Sequence, residues 1–509
     1  MQKYQNPIIR GFNPDPSICR VGNEFFLVTS SFEIFPGVPI YRSTNLVNWK
    51  CIGHCLTRKS QILLEDCKAS EGIYAPTIRH HNGRFYMVTT NVSDKGNFIV
   101  YTDDIYGEWS EPIWIDQGGI DPSLLFADDK VYFVSNEDDH GNKGIYMCEI
   151  DPHSGKKLTN SRLLSKGCGG RYPEAPHLYK IDGIYYLMLA EGGTEYGHMV
   201  TLQRSNNPYG PYEPCPHNPI LSHRELEDMD INCVGHADMI EDQHGNWWMV
   251  ALGTRAIAYD GRQPMLHNLG RETFLAPIHW KDGWPIVGNS GTLSVEMKAE
   301  LPAKIAVQYT SEVKTLQSLV SSHAFSYIRN PDEHCYELDA TSNHLVLHGT
   351  EITLSEEGKS PTFMGFRQTD FLMTTSVKII PEHIKENGKS GISVYYNHEH
   401  HYDLFISKQD SDYYVAVRKR IYDVEVITVK KRLAAMEQYN LSIEADRENY
   451  YFYYEENNEK FLLEQGTSAA LCSEITRRMT FTGTFVGLFA ENADAEFEDL
   501  NVSFGKSSD

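Results

Sequence analysis

The sequence predicts an all-β protein in which a five-bladed β-propeller is followed by a β-sandwich. Three observations support this prediction: a short motif recurs five times, each copy precedes a strand-like run at one fixed distance, and helical periodicity is nearly absent. The copies lie 46 to 62 residues apart and are Asp15-Pro-Ser-Ile, Ala75-Pro-Thr-Ile, Asp121-Pro-Ser-Leu, Ala175-Pro-His-Leu and Ala237-Asp-Met-Ile.

Each copy of the motif predicts a β-hairpin. An apolar run begins ten residues after the first residue of every copy, and turn residues such as Asn82-Gly83 and Asp182-Gly183 lie between the two. A lone hairpin cannot bury both of its faces, so five similar units indicate blades arranged around a central channel. In three units a further turn follows 27 to 30 residues after the motif, as at Ser43-Thr-Asn-Leu, which predicts four strands per blade.

The chain of 509 residues is too long for one hydrophobic core and indicates two domains. Residues 1–300 are predicted to form the propeller, 301–317 a linker and 318–509 the second domain. In the last segment, β-prone runs such as Gly391-Ile-Ser-Val-Tyr-Tyr alternate with turns every 8 to 12 residues, which is typical of a β-sandwich of the jelly-roll type.

Composition favours a neutral ligand. The formal net charge is −23, because 69 Asp and Glu outnumber 46 Lys and Arg, which disfavours nucleic acid or an anionic membrane as a partner. No run approaches 18 apolar residues, so we expect no transmembrane helix. The first residues show no apolar signal segment, and the ten cysteines are scattered, which predicts reduced thiols and a cytoplasmic location. A homo-oligomer is compatible with these features.

Acidic residues occupy the repeated motif in two blades only. Asp15 and Asp121 stand where the other three copies have alanine, so the fold itself does not require an acid there. Glu174 and His236 precede the motif by one residue in the fourth and fifth copies. Equivalent positions in a propeller meet at one mouth of the channel, which predicts that these four side chains gather. The alternative is that Asp-Pro and Glu-Ala-Pro only shape turns.

Two carboxyl groups on opposite sides of a sugar are the requirement for glycoside hydrolysis. Blades one and four are not neighbours in a five-membered ring, so Asp15 and Glu174 are candidates for a widely spaced pair with water between them. Asp121, in the blade next to Glu174, would raise the pKa of Glu174 by repulsion. Asp15 lacks that neighbour and would stay ionised.

The motifs resemble those of glycoside hydrolase family 43 along nearly the whole chain. Seven matches occur in order: Asn13-Pro-Asp-Pro-Ser17, Gly72-Ile-Tyr-Ala-Pro-Thr77, Gly119-Ile-Asp-Pro-Ser123, Pro173-Glu-Ala-Pro-His177, Glu191-Gly-Gly-Thr-Glu-Tyr-Gly-His198, Gly235-His-Ala-Asp238 and Leu269-Gly-Arg-Glu-Thr273. The resemblance implies a five-bladed propeller, a concanavalin-like sandwich in two-domain members, an inverting mechanism and exo action.

The resemblance also implies roles for individual residues. It makes Asp15 the general base, Glu174 the general acid and Asp121 the modulator of the acid's pKa. Arg271 corresponds to an arginine that binds the terminal sugar, and His236 to an axial histidine that in some relatives lies near a calcium ion or a water. The predicted chemistry requires no cofactor, although a divalent cation such as calcium near His236 is compatible with it.

Three aromatic residues complete the expected pocket. By resemblance, Phe32 contacts the terminal sugar, and Tyr74 stands where many relatives have tryptophan. Phe481, from the second domain, is expected to close the pocket over a chain end.

The favoured function is removal of terminal xylose from xylo-oligosaccharides, as a β-1,4-xylosidase. An α-L-arabinofuranosidase, or an enzyme with both activities, is the nearest alternative, because both sugars present similar hydroxyl geometry. A retaining fructan hydrolase is disfavoured, since the start motif and the acid motif both differ from those enzymes. A non-catalytic sugar-binding propeller is the remaining reading.

Overall fold

The computed structural model describes residues 1–139, 142–226, 230–257, 266–306, 308, 313–434 and 436–505. Within these residues, the first half of the chain forms five antiparallel sheets, which are the blades of the predicted propeller. Blade one contains Ser17–Val21, Glu24–Val28, Gly37–Ser43 and Lys50–Leu56. Blade two contains Thr77–His81, Arg84–Asn91, Gly96–Thr102 and Ile113–Trp114. Blade three is Ile120–Ala127, Lys130–Asp139, Asn142–Glu149 and Arg162–Ser165. Blade four contains Glu174–Ile181, Ile184–Glu191, Met199–Ser205, Glu213–Pro214 and Leu221–Ser222. Blade five contains Ile231–Glu241, Trp247–Arg255, Glu272–Lys281 and Trp284–Val287.

The first strand of each blade lines the channel. Each of these strands contacts the first strand of the next blade, and the strand of blade five contacts that of blade one, so the ring closes. Hydroxyl groups of the repeated motif link neighbouring blades: Thr77 donates to the carbonyl of Pro122 at 2.9 Å, and Ser123 to that of Pro176 at 2.5 Å. The hydroxyl residues after the proline in blades two and three therefore have a structural reason to be there.

The predicted hairpins are confirmed in all five blades. The first two strands of each pair antiparallel on either side of the expected turn. Residues such as Asn82 and Asp182, with φ of 50° and 49°, adopt the left-handed conformation that two-residue turns need. Near the chain start, Gln2–Gln5 pairs with Glu296–Ala299, which ties the beginning of the propeller to its end.

The second half forms a β-sandwich, as predicted. In its described residues, one sheet contains Phe363–Arg367, Lys389–Asn397, His400–Gln409, Asp412–Ile421, Val424–Arg432 and Phe485–Glu491. The other contains Lys314–Thr315, Tyr336–Asp339, His344–His348, Met373–Ile380, Tyr439–Ala445, Asn449–Glu456, Glu459–Thr467 and Asp494–Phe504. Side chains such as Leu404, Ile443 and Phe497 fill the space between the sheets and are fully buried.

Short elements join the domains. Ile34–Phe35 of the propeller pairs with Tyr327–Ile328 of the sandwich, so one small sheet spans the boundary. The expected linker 301–317 includes Lys314–Thr315, which already pairs with the last sandwich strand, while 307 and 309–312 lie outside the described residues. The short helices are Leu316–Ser321, Glu333–Cys335, Ser468–Leu471 and Ser473–Ile475. Across the described ranges, none is both long and apolar enough to cross a bilayer.

Candidate active site

The backbone bends where the acidic side chains leave the inner strands. Asp15 and Asp121 have φ of 54° and 53°, and Ala175, which follows Glu174, has φ of 48°. The left-handed region is unfavourable for residues with a Cβ and is tolerated best by Asn and Asp. The strand pairing shifts at these points in blades three and four, between Ile120 and Ser123 and between Glu174 and His177. The repeated motif is therefore a shared backbone bend, and it sets the acids at the start of the inner strands.

Asp15 is held as an ionised carboxylate. Arg271 donates from Nη1 to its Oδ1 at 3.1 Å, Nδ1 of His236 lies 3.3 Å from the same oxygen, and the hydroxyl of Ser30 donates to Oδ2. Burial alone would raise the pKa of Asp15, but Arg271, His236 and Ser30 together lower it below its ordinary value. The group is thus suited to accept a proton from water.

Asp121 and Glu174 have the opposite electrostatic character. Burial, followed by repulsion from Glu174 and Asp15, raises the pKa of Asp121 well above its ordinary value. Burial and the charge of Asp15 raise the pKa of Glu174 to about 7. The backbone N–H of Ala175 donates to Asp121 at 3.2 Å, which fixes this carboxyl beside the strand that begins at Glu174. The pair therefore retains a proton at neutral pH, when Asp15 has none.

Arg271 connects the acids to both domains. It contacts Asp15 through Nη1, donates from the same nitrogen to the hydroxyl of Thr194 at 3.0 Å, and donates from Nη2 to the carbonyl of Phe481 at 3.2 Å. The centre of its guanidinium group lies 5.5 Å from the ring centre of Phe32 and 5.2 Å from that of Phe481. Its position is consequently set by the propeller and the sandwich together.

The three aromatic residues expected at the pocket are brought together. The ring centres of Phe32 and Tyr74 are 5.3 Å apart, those of Phe32 and Phe481 are 5.4 Å apart, and those of Tyr74 and Phe481 are 5.9 Å apart. The backbone N–H of Phe481 donates to the hydroxyl of Ser70 in the propeller at 2.9 Å. Phe32 is buried, whereas Tyr74 and Phe481 keep part of their surface exposed. All eight predicted site residues thus lie in one connected region.

Sequence reasoning missed the roles of several contacts. His198 is buried and interacts electrostatically with His236 and Asp15. Its Nδ1–H donates to the carbonyl oxygen of Cys233 at 3.1 Å, and burial lowers its pKa to about 3. A Cβ on Gly235 would lie 2.4 Å from the His198 ring, so this position must be glycine. Gly235 and His198 belong to two of the seven motifs that resemble the family. Their presence in these motifs was the only sequence feature that pointed to a role for them. Thr194 lies in the same motif as His198, so that motif was the available signal for its contact as well.

The donors near His236 do not suit calcium. Calcium takes six to eight oxygen ligands, whereas His236 faces a carboxylate oxygen that Arg271 already contacts. Within the described ranges, no three His, Cys, Asp or Glu side chains are grouped to hold a metal ion. Burial lowers the pKa of His236, so its imidazole is neutral beside Asp15.

Carboxyl groups in opposite protonation states, beside an arginine and aromatic rings suited to a sugar, are characteristic of glycosidases. Comparison with known proteins agrees with that class. The family model "Glycosyl hydrolases family 43" matches residues 4–285, and "Beta xylosidase C-terminal Concanavalin A-like domain" matches residues 321–504. The chain belongs to glycoside hydrolase family 43.

Similar proteins extend over nearly the full chain. The non-reducing end alpha-L-arabinofuranosidase BoGH43B of Bacteroides ovatus is 40% identical over 96% of this chain and 91% of its own length. A xylosidase/arabinosidase of Butyrivibrio fibrisolvens is 37% identical, over 96% and 95%. The crystal structure of a xylan beta-1,4-xylosidase from Bacillus halodurans superposes with a TM-score of 0.89 at 28% identity, over 98% of this chain and all of that one.

Proposed function

We propose that this protein is an exo-acting, inverting glycosidase that releases terminal D-xylose from the non-reducing ends of xylo-oligosaccharides. The observation that carries the proposal is the different surroundings of the carboxyl groups. Asp15 accepts a hydrogen bond from Arg271 at 3.1 Å and has a lowered pKa, whereas Glu174 begins the strand whose Ala175 N–H holds Asp121 at 3.2 Å, and its pKa is raised to about 7. Hydrolysis of a glycosidic bond needs one group of each kind. The family membership makes a sugar the substrate.

In the proposed reaction, Glu174 donates its proton to the oxygen of the leaving sugar. Asp15 takes a proton from a water molecule, and the oxygen of that water forms the new bond to the anomeric carbon from the opposite face. The anomeric centre is thereby inverted. Asp121 and Glu174 retain one proton between them, and we propose that Asp121 leaves this proton on Glu174 for donation, while Arg271 holds Asp15 ionised. The origin of Asp15 and Glu174 in non-adjacent blades supports a separation that admits water.

Exo action is supported by the aromatic side of the site. Phe32, Tyr74 and Phe481 pack edge to face or tilted against one another, and Phe481 comes from the sandwich. This cluster would bound one end of the sugar-binding hollow, so a chain end could enter where a continuous chain could not. Short oligosaccharides are therefore the proposed substrates.

Terminal α-L-arabinofuranose is the second candidate sugar. Proteins with 37% and 40% identity have names that include arabinosidase or arabinofuranosidase activity, and a beta-xylosidase of Bacillus subtilis is 32% identical. These names support both sugars. The fold and the catalytic chemistry proposed above are the same for either one.

Two measurements test the proposal. Initial rates on an aryl β-D-xyloside and an aryl α-L-arabinofuranoside compare the two sugars, and we expect the xyloside to give the higher kcat/KM. Proton NMR during hydrolysis of xylobiose should show α-xylose as the first new anomer. The β-anomer as first product would reject inversion, and turnover of the arabinofuranoside alone would replace xylose with arabinofuranose.

A further inference from the structure

The loop before Glu174 presents two exposed side chains, Arg171 and Tyr172. Tyr172 is 57% exposed, and the guanidinium carbon of Arg171 lies 5.5 Å from the centre of its ring. A single exposed tyrosine is ordinary in a soluble protein. The backbone beneath this one is not, because Tyr172 has φ of 51°. Bulky residues rarely adopt the left-handed conformation, and strained positions of this kind cluster at functional sites.

The strained backbone is held in place by a buried acid. The carboxylate of Glu191 accepts hydrogen bonds from the backbone N–H groups of Cys168 at 2.7 Å and Gly170 at 2.6 Å. Glu191 has no exposed surface. The N–H of Gly192 donates to the carbonyl of Arg171 at 2.7 Å. The loop is thus fixed at Cys168 and Gly170, just before the exposed residues, and at the carbonyl of Arg171.

Two short connections place the Tyr172 ring at the edge of the active site. Along the chain, only Pro173 separates Tyr172 from Glu174. Through space, a Cβ on Gly193 would lie 3.6 Å from Cδ2 of Tyr172, and the next residue, Thr194, accepts the hydrogen bond from Arg271. The exposed ring therefore belongs to a residue two positions from the acid, and it lies next to the residue that precedes the hydroxyl partner of Arg271.

We propose that Tyr172, assisted by Arg171, is the platform that binds the first sugar ring of the leaving group; this inference rests on the proposed function. The sugar that is released occupies the hollow bounded by aromatic residues. The rest of the substrate departs with the oxygen that Glu174 protonates, so its first ring must lie on the outward side of Glu174. Tyr172 offers an aromatic face there, and Arg171 offers N–H donors for sugar hydroxyls.

A comparison of two substrates tests the platform. A disaccharide and the methyl glycoside of the same sugar both need protonation by Glu174, but only the disaccharide has a second ring. For Tyr172→Ala we expect kcat/KM on the disaccharide to fall roughly five- to tenfold, with the methyl glycoside changed by less than about twofold. Tyr172→Phe keeps the aromatic face and should retain most of the disaccharide rate. The sugar used is the one that the aryl glycosides select.

Tyr106→Ala is the matched control, because Tyr106 is 61% exposed but lies in blade two, away from Glu174. It should leave both substrates unchanged. Two results for Tyr172→Ala would overturn the platform: equal losses of kcat/KM on the two substrates, or a shift of the alkaline limb of the pH profile. Either result would mean that Tyr172 only positions Glu174. A wild-type protein that cleaves neither substrate rejects the proposed function itself, and the platform with it, before any variant is compared.

Discussion

Two buried groups of charges lie two residues apart along the inner strand of blade five, at His236 and at Asp238. The first is the candidate active site, in which Asp15, Asp121 and Glu174 interact with one permanent cation, Arg271. The second is an axial network in which Asp238 alone faces Arg79. The two groups are similarly buried, but they differ in the number of acids per cation.

Every oxygen of Asp238 is satisfied. Arg79 donates to it at 2.8 Å, Tyr179 at 2.6 Å and Ser17 at 2.7 Å, so residues of three other blades converge on one carboxylate. Burial alone would raise the pKa of Asp238, but Arg79 and His177 outweigh it and hold the pKa well below its ordinary range. The network is therefore a fixed ion pair that fastens blades together.

Burial does not by itself make a carboxyl group an acid catalyst. Asp238 is as buried as Asp121, and yet their pKa values move in opposite directions. A carboxylate with a cation of its own stays ionised, whereas acids that share one cation retain a proton. At the mouth of the channel the acids outnumber the cations, so one carboxyl group can keep a proton and donate it.

The largest effect is expected from Glu174→Gln. Loss of the proton donor should lower kcat on xylobiose by about a thousandfold or more, because general acid catalysis contributes roughly 10²–10⁴. An aryl glycoside with a good leaving group needs less protonation and should lose far less. Urea denaturation should show no loss of stability, because the variant removes one of three neighbouring acids that share a single cation.

Asp15→Asn is the control for leaving-group dependence. Removal of the proposed base should lower the rates on both substrates alike, because activation of water does not depend on the leaving group. If Glu174→Gln and Asp15→Asn behaved identically across leaving groups, the assignment of acid and base would be wrong. A protein that bound sugar without turning it over would lose only affinity in either variant.

In the axial network the same kind of change should act on stability. Asp238→Asn leaves the Arg79 charge without its partner, and breaking a buried ion pair costs about 3–5 kcal/mol of unfolding free energy. The pKa of Asp238 is lowered on folding, so its contribution is present above about pH 4 and lost as the pH falls further. The measurement is urea denaturation at pH 7 and at about pH 2.5, and the difference between wild type and Asp238→Asn should be smaller at the lower pH.

Asp103→Asn is a matched control, because Asp103 pairs with Arg84 at 2.6 Å but its side chain is 67% exposed. Exposed pairs contribute little to stability, because water and salt screen them. A loss from Asp238→Asn no larger than that from Asp103→Asn would show that the axial pair does not fasten the blades.

The repeat explains why so much could be predicted from sequence. A fixed offset between motif and hairpin determines which residues start the inner strands, and from there the meeting of Asp15, Asp121 and Glu174 follows by symmetry. The repeat also placed His236 in this group, whereas Arg271 was reached through the family resemblance, and the structure places both beside Asp15.

Contacts between distant parts of the chain could not be predicted in the same way. The hydrogen bond from Phe481 to Ser70 joins residues 411 positions apart, and the bond from Arg271 to Phe481 crosses the domain boundary. Such contacts depend on how the sandwich docks on the propeller, which no periodicity records. The strained backbone at Tyr172 likewise depends on Glu191, which fixes its loop from a neighbouring strand.

The smallest effect, and the sharpest test of the surplus of acids, is expected from Asp121→Asn. Burial and the charge of Asp15 raise the pKa of Glu174 to about 7, and the pKa of Asp121 is raised in part by Glu174, so the two carboxyls repel each other. When Asp121 is ionised, Glu174 holds the last proton of the pair more tightly. Without that charge, Glu174 should lose its proton at lower pH.

The alkaline limb of kcat/KM should therefore move to lower pH by about one unit, which is 1.4 kcal/mol of lost repulsion. The acidic limb reports Asp15, whose pKa is lowered mainly by Arg271 against the effect of burial, so it should lie below about pH 4 and move little. The pH profile of the wild type and of Asp121→Asn on one aryl glycoside gives both limbs. An alkaline limb that stayed in place, with the rate reduced at every pH, would show that Asp121 orients the substrate and leaves the pKa of Glu174 unchanged.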